Sequence, residues 1–228
     1  MAFKADGCVV LAADTRGIRV QDGMNYDRGR VSKLRSLGDG CAEGITGDLC
    51  LMGQLLDDAK SRGLGFGKAK RFSDTVYEFE RTLRQMYEQK FGNAGVDPKE
   101  RFPSSLLFAG HGVYGGERDC FIYTMHVQQN FAAVRQNEWD AIGQWLHGGC
   151  YYACRYYRPT MTEKEAAFLA YFCIGEVGKL DGTVGLPVDI MILRDNSVQS
   201  IPGQWSEEFK SKYEAAHDKM ESWFRWDK

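Results

Sequence analysis

A short apolar run near the N-terminus constrains the fold more than any other part of the sequence. Residues 8–13 are all small or branched apolar side chains, a run too short for a helix, and the run ends at Asp14 and Arg16. It follows Asp6-Gly7, a strong hairpin-turn signal. The pattern predicts a buried strand that comes out of a tight turn and ends in charged chemistry. On residue types alone, Asp14 and Arg16 also fit an ion pair at a strand end.

Length and composition favour one domain, 1–228, with an ordinary soluble core. The chain has 228 residues, 43% of them hydrophobic, and a formal net charge of −2 with both signs mixed. We therefore expect no nucleic-acid partner, since no basic field is present. No apolar run is long enough to span a membrane and no signal peptide is evident, which predicts a cytoplasmic protein with no membrane partner. The seven cysteines are expected to be reduced thiols, because most lie in apolar segments.

The order of predicted elements indicates an α+β protein. Strands come first, followed by two helices, more strands, two helices, strands, and a charged terminal helix at about residues 205–226. Thr162 and Glu165 form a capping box at the start of a long helix, the second helix of the second pair. Ser206 is the predicted cap of the terminal helix. Because residues 8–13 are apolar on both faces, the strand must be covered on both. The predicted architecture is a four-layer αββα sandwich of two mainly antiparallel sheets between helix pairs.

Several local patterns have more ordinary explanations than a binding site. Lys33 fits a solvated charge on an alternating strand, and the Gly-rich residues 63–67 lack a phosphate-loop ending and fit a linker. Cys150 and Cys154 lie one helical turn apart near His147, but no second pair at metal spacing accompanies them. We expect neither a cofactor nor a metal. A Cys/His metal-binding module is kept as a less favoured hypothesis.

Several motifs, taken in order, resemble the proteasome β-subunit family, which includes a bacterial relative that forms rings with an unfolding ATPase. Residues 7–16 resemble the family's first hairpin, and Ser32-Lys33-Leu34 resembles its active-site lysine segment. Residues 44–47 resemble the Gly-x-Ala-Gly stretch that forms the oxyanion hole. The helix that starts after Thr162 and residues 179–190 are similar to the last core helix, its acidic loop and the closing strand.

The resemblance implies an N-terminal-nucleophile hydrolase fold and threonine-type peptidase activity. In that chemistry a first-residue Thr attacks the peptide carbonyl and its own α-amine is the base. The resemblance gives Asp14 the role of holding Lys33, gives the Gly47 amide the oxyanion, and retains Asp181 as a supporting charge. It implies a polypeptide substrate, a homo-oligomeric ring, and an unfolding ATPase as a candidate partner. The aromatic residues 151–157 and 168–172 are expected to expose apolar surface for that ring.

The sequence also departs from the family pattern. Alignment of the first strand puts the nucleophile about three residues before Met1, so the sequence as printed has no N-terminal Thr. Gln144 and Val184 stand where the family has serines. Two hypotheses therefore stay open, a threonine peptidase subunit and a catalytically silent, ring-forming structural subunit. In either case we expect the protein of this sequence to have no peptidase activity.

Overall fold

The computed structural model describes residues 1–21, 24–61, 72–91, 104–114, 117–143 and 148–224. The strands, in chain order, are β1 (Ala2–Ala5), β2 (Cys8–Asp14), β3 (Arg16–Gln21), β4 (Met24–Arg30), β5 (Leu34–Gly38), β6 (Cys41–Thr46), β7 (Ser105–Tyr114), β8 (Glu117–His126), β9 (Val134–Gln136), β10 (Trp139–Asp140), β11 (Val188–Arg194) and β12 (Ser197–Ser200). The helices are α1 (Leu49–Ser61), α2 (Phe72–Phe91), α3 (Gly149–Tyr156), α4 (Glu163–Leu180) and α5 (Gly203–Phe224), with a short 3₁₀ turn at Val127–Gln129. Within these described ranges, none of the helices has the length and apolar character needed to cross a membrane.

The first sheet is built around the apolar run near the N-terminus. Its strand order is β10-β1-β2-β11-β12, and every pairing in it is antiparallel. Strand β2 is therefore central, and its residues from Val9 to Ala12 are fully buried. The prediction of an interior strand at this position is confirmed.

The second sheet has the order β5-β6-β7-β8-β9 and is also antiparallel. Its long β7–β8 hairpin pairs from Ser105 to Tyr114, although the glycines after Ala109 predict a turn. That prediction is wrong for residues 110–114. A Cβ atom on Gly110 would lie 2.7 Å from the Cys41 sulfur and 2.8 Å from the Gly40 carbonyl oxygen. Glycine is required there for close approach within the strand.

Three apolar clusters hold the layers together. The cluster between the two large sheets includes Val9, Leu11, Leu107 and Leu193. On the outer face of the second sheet, α1 and α2 supply the large side chains of another cluster, and on the outer face of the first sheet α3, α4 and α5 supply the third. Burial of these side chains is the main source of stability.

The predicted architecture of two sheets between helix pairs is wrong. Among the described residues there are three sheets and five α-helices. The third sheet is the β3–β4 ribbon, whose charged strands pair only with each other, with a register shift between Gly17 and Ile18. Helix α5 adds a third helix on the outer side of the first sheet, where its Phe209 and Tyr213 are buried against Phe168, Tyr171 and Phe172 of α4.

Candidate active site

A cavity of about 130 Å³ lies where the two large sheets meet α4. Its wall includes Asp14, Lys33, Thr46, Gly143, Thr183 and Val184. Each of these residues lies at or just beyond the end of a strand or helix, so residues from several separate elements face the same cavity. The charged end of β2, the end of β6 and the loop after α4 therefore all line this cavity.

Asp14 and Lys33 form the charged centre of the cavity. The Lys33 ammonium donates to both carboxylate oxygens of Asp14 at 2.8 Å, and the two side chains are only 15% and 14% exposed. The Asp14 carboxylate also accepts from the Arg16 backbone amide at 3.1 Å. The prediction that Asp14 and Lys33 form a salt bridge is confirmed.

The residues around this pair correct two expectations. Lys33 does not lie on a strand but in the link between β4 and β5, which is tied to β6 by a 2.9 Å bond from the Ile45 amide to the Lys33 carbonyl. The Arg16 guanidinium bonds to Asp27 at 3.2 Å, so the alternative Asp14–Arg16 ion pair is wrong. Lys33 reaches Asp14 because the chain returns to the end of β2 after the β3–β4 ribbon, where the Val31 amide donates to the Thr15 carbonyl at 2.7 Å.

Gly47 follows directly after β6 and has a φ angle of 92°. This left-handed conformation suits glycine, and it redirects the backbone from the strand into α1. Thr46 lines the cavity, whereas the next residue, Gly47, is not among the described residues that line it. An oxyanion role for the Gly47 amide therefore stays a prediction.

Asp181 acts on the cavity through its neighbour. It is the C-cap residue of α4, and its carboxylate accepts from the Thr183 amide at 2.8 Å and from the Thr183 hydroxyl at 2.6 Å. Thr183 and Val184 are the residues that line the cavity. The sequence comparison missed Thr183, because it matched the expected hydroxyl to the next position, Val184. Gln144 and His147 lie outside the described residues.

Met1 stands at the edge of the cavity, beside the charged pair. Its amine donates to the Ala12 carbonyl at 2.7 Å, and its carbonyl accepts from the Ala12 amide at 2.8 Å. Burial lowers the pKa of this amine to about 6, and the charge of Asp14 partly opposes the shift. Burial at this position therefore favours the neutral form of the Met1 amine.

The part of the chain that the structure describes contains no set of ligands that supports the metal hypothesis. No group of three or more His, Cys, Asp or Glu side chains there could hold an ion. Cys150 and Cys154 do meet, with 3.8 Å between their sulfur atoms.

Comparison with known proteins gives structural neighbours only. No protein-family model matches the sequence, and no curated protein matches it. The fold is similar to Anbu, an ancestral β-subunit, from Yersinia bercovieri, with a TM-score of 0.76 and 16% identity over 98% of this chain and 94% of that one. A Gly-1 mutant of Anbu from Hyphomicrobium sp. strain MC1 gives 0.75 and 19% over 100% and 98%. Anbu from Pseudomonas aeruginosa, solved as a helical assembly, gives 0.73 and 16% over 97% and 95%.

These neighbours correct the family assignment. Anbu is a proteasome-like group distinct from the proteasome β-subunits that the motifs indicated, so that assignment is wrong in its detail. At 16% to 19% identity the likeness is one of fold.

Proposed function

We propose that this chain is a proteasome-like subunit that assembles with copies of itself, and that it hydrolyses polypeptides only when a Thr upstream of Met1 supplies the N-terminal nucleophile. The observation that carries the proposal is the Asp14–Lys33 pair in a cavity that also receives the start of the chain. A salt bridge with a purely structural role has no need of such a cavity. Perturbed or paired charges in a cleft are typical of catalytic sites.

Each charged group has a role in the proposed reaction. Lys33 stabilises the neutral form of a nearby α-amine and the developing alkoxide, and Asp14 holds the ammonium in place from the end of the central strand β2. The Gly47 amide is proposed to donate to the oxyanion. Asp181 is proposed to position Thr183, which lines the cavity. No step requires a metal or a cofactor.

A silent structural subunit is the second candidate function. It is favoured by Val184, which gives the cavity wall an apolar side chain where the peptidase motif has a hydroxyl. In this case the ion pair serves stability alone. Both candidates predict self-assembly, and they differ only in chemistry.

Self-assembly has a smaller apolar surface available than the sequence predicts. Tyr151 and Tyr156 are 59% and 49% exposed, but Phe168 and Phe172 pack beneath α5, against Phe209 and Tyr213. The helical assembly of Pseudomonas aeruginosa Anbu supports association of copies. A ring and a helix use the same head-to-tail contact and differ in whether the rotation closes. Sedimentation velocity tests this, and a monomer at tens of micromolar would contradict assembly.

The peptidase proposal is tested with fluorogenic peptides and three chains. These are the sequence as printed, a chain extended upstream by about three residues to begin with Thr, and the same extension beginning with Ala. Because Ala2 pairs with Leu11, the three added residues come opposite Ala13, Asp14 and Thr15 in the same register, which puts the first of them just past Asp14. We expect turnover only from the Thr chain, and its loss in Lys33→Ala. Equal turnover by the Thr and Ala chains would refute the nucleophile, and no turnover by any chain would favour the structural subunit.

The native start and the partners need separate measurements. Intact mass and N-terminal sequencing of protein made from the native gene, upstream codons included, identify the residue that occupies the first position in the cell. We propose a cytoplasmic location, supported by seven free thiols. An ATPase partner predicts that the active chain alone cleaves unfolded polypeptides and leaves folded ones intact.

A further inference from the structure

Two thiols meet on the helix that borders the cavity. Cys150 and Cys154 are four residues apart on α3, and their sulfur atoms are 3.8 Å from each other. Cys154 is exposed and Cys150 is half-buried. Metal binding needs more ligands than this pair supplies, since no third ligand accompanies it in the described part of the chain. Disulfide chemistry needs only the two.

We propose that Cys150 and Cys154 form a reversible intrahelical disulfide when a hydroperoxide oxidises them. The Cys154 thiolate attacks the O–O bond, so that an S–O bond forms and alcohol or water leaves. The Cys150 thiolate then attacks the Cys154 sulfur, an S–S bond forms, and hydroxide leaves as water. Two thiols lose two electrons, and the hydroperoxide is reduced to an alcohol and water.

The order of attack follows from exposure. Cys154 meets the oxidant first because it is exposed, whereas burial and the hydrogen bond with Cys154 raise the pKa of the Cys150 thiol. Cys150 is therefore the resolving thiol. The other thiols provide internal controls, since burial raises the pKa of Cys8 and Cys173 to about 12.

The turn of α3 from Cys150 to Cys154 must deform to make the bond, because Cβ atoms four residues apart in a helix lie about 5 to 6 Å from each other and a disulfide needs about 3.5 to 4.5 Å. A disulfide has an S–S distance of about 2.05 Å, so the sulfur atoms must approach by roughly 1.8 Å. Gly148 and Gly149 begin the helix, with no side-chain cap, and the Tyr152 amide lies 3.3 Å from the Gly148 carbonyl. Glycine backbones adjust at low steric cost, so the start of the helix can move together with Cys150.

The start of the same helix touches the proposed active site. Gly149 lines the cavity, and a Cβ on it would lie 2.9 Å from a Val177 methyl group on α4. Tightening at Cys150 therefore moves the cavity wall. We expect turnover of the Thr-extended chain to fall by about tenfold on oxidation and to recover with dithiothreitol, because small displacements of a positioned site slow reactions steeply. This last effect rests on the proposed function.

The disulfide itself is tested by mass spectrometry on the full reduced chain treated with hydrogen peroxide. The expected result is a loss of about 2 Da, mapped to Cys150–Cys154, with a free sulfenic acid at Cys154 trapped by dimedone in Cys150→Ser. Cys50→Ser is the matched control, since Cys50 is exposed and its loss should leave the disulfide intact. Oxidation of Cys50 while Cys150 and Cys154 both remain alkylatable would overturn the proposal.

The turnover and mass measurements together distinguish a failure of the disulfide proposal from a failure of the proposed function. A Thr-extended chain with no turnover refutes the peptidase while the mass measurement still decides the disulfide. A disulfide that forms without changing turnover refutes the link to the cavity wall.

Discussion

Replacing Asp14 with alanine tests the physical basis of the site most directly. In the parent protein the Lys33 side chain is only 15% exposed, and the change removes both of the hydrogen bonds that its ammonium makes to the carboxylate. Breaking a buried pair by removing one partner costs 3 to 5 kcal/mol, and the small residual exposure puts Asp14→Ala at about 3 kcal/mol. For a chain of this size that corresponds to a melting temperature lower by roughly 6 to 12 °C.

The assay is thermal unfolding by circular dichroism at one fixed protein concentration, because self-association raises apparent stability. Asp189→Ala is the matched control, since it breaks a pair with Arg30, whose side chain is 66% exposed, and should cost under about 1 kcal/mol. Asp14→Ala/Lys33→Met should be more stable than Asp14→Ala, because no unpaired ammonium remains. A melting temperature for Asp14→Ala equal to that of the parent would refute the reasoning.

Three further predictions concern the supporting structure. Thr162→Ala removes the observed capping box and should cost about 1 kcal/mol in urea unfolding, whereas Ser206→Ala, inside α5, should change stability by less than about 0.5 kcal/mol; equal effects would contradict the cap assignment. Gly175→Ala puts a Cβ 2.8 Å from the Tyr213 ring and should release α5, seen as faster amide exchange in residues 203–224, while unchanged exchange would refute the contact. Burial raises the pKa of Tyr157 to about 12, above the unfolded value near 10, so stability should fall as pH rises from about 10 to 12, and less steeply in Tyr157→Phe.

Much of the fold near the site could be predicted because the controlling patterns are local. The apolar run of β2, its turn and the capping box of α4 each depend on neighbouring residues, and each is where the sequence predicts it. The partner of Asp14 depends on the path of the chain through the β3–β4 ribbon. Residue types alone favoured Arg16, and only the family resemblance indicated Lys33.

The errors share a physical cause, which is contact between residues distant in sequence. Gly110 was interpreted as a turn residue, yet it is glycine because Cys41 and Gly40 approach it from another strand. The aromatic residues of α4 were expected at the surface, but Phe172 packs on Tyr213 of α5. The separate β3–β4 ribbon and the packing of α5 on α4 follow from such contacts. The periodicity of apolar residues along the chain does not reveal them.

The central place of β2 in its sheet has a consequence for how the two halves of the ion pair move. Strand β2 is hydrogen-bonded along both edges, to β1 and to β11, so its amides exchange only when the whole sheet opens. Asp14 therefore takes its position from a strand that is paired on both sides, while Lys33 projects from a three-residue link between strands. The Asp14 carboxylate therefore fixes the position of the Lys33 ammonium, and through it the position of the link that carries Lys33.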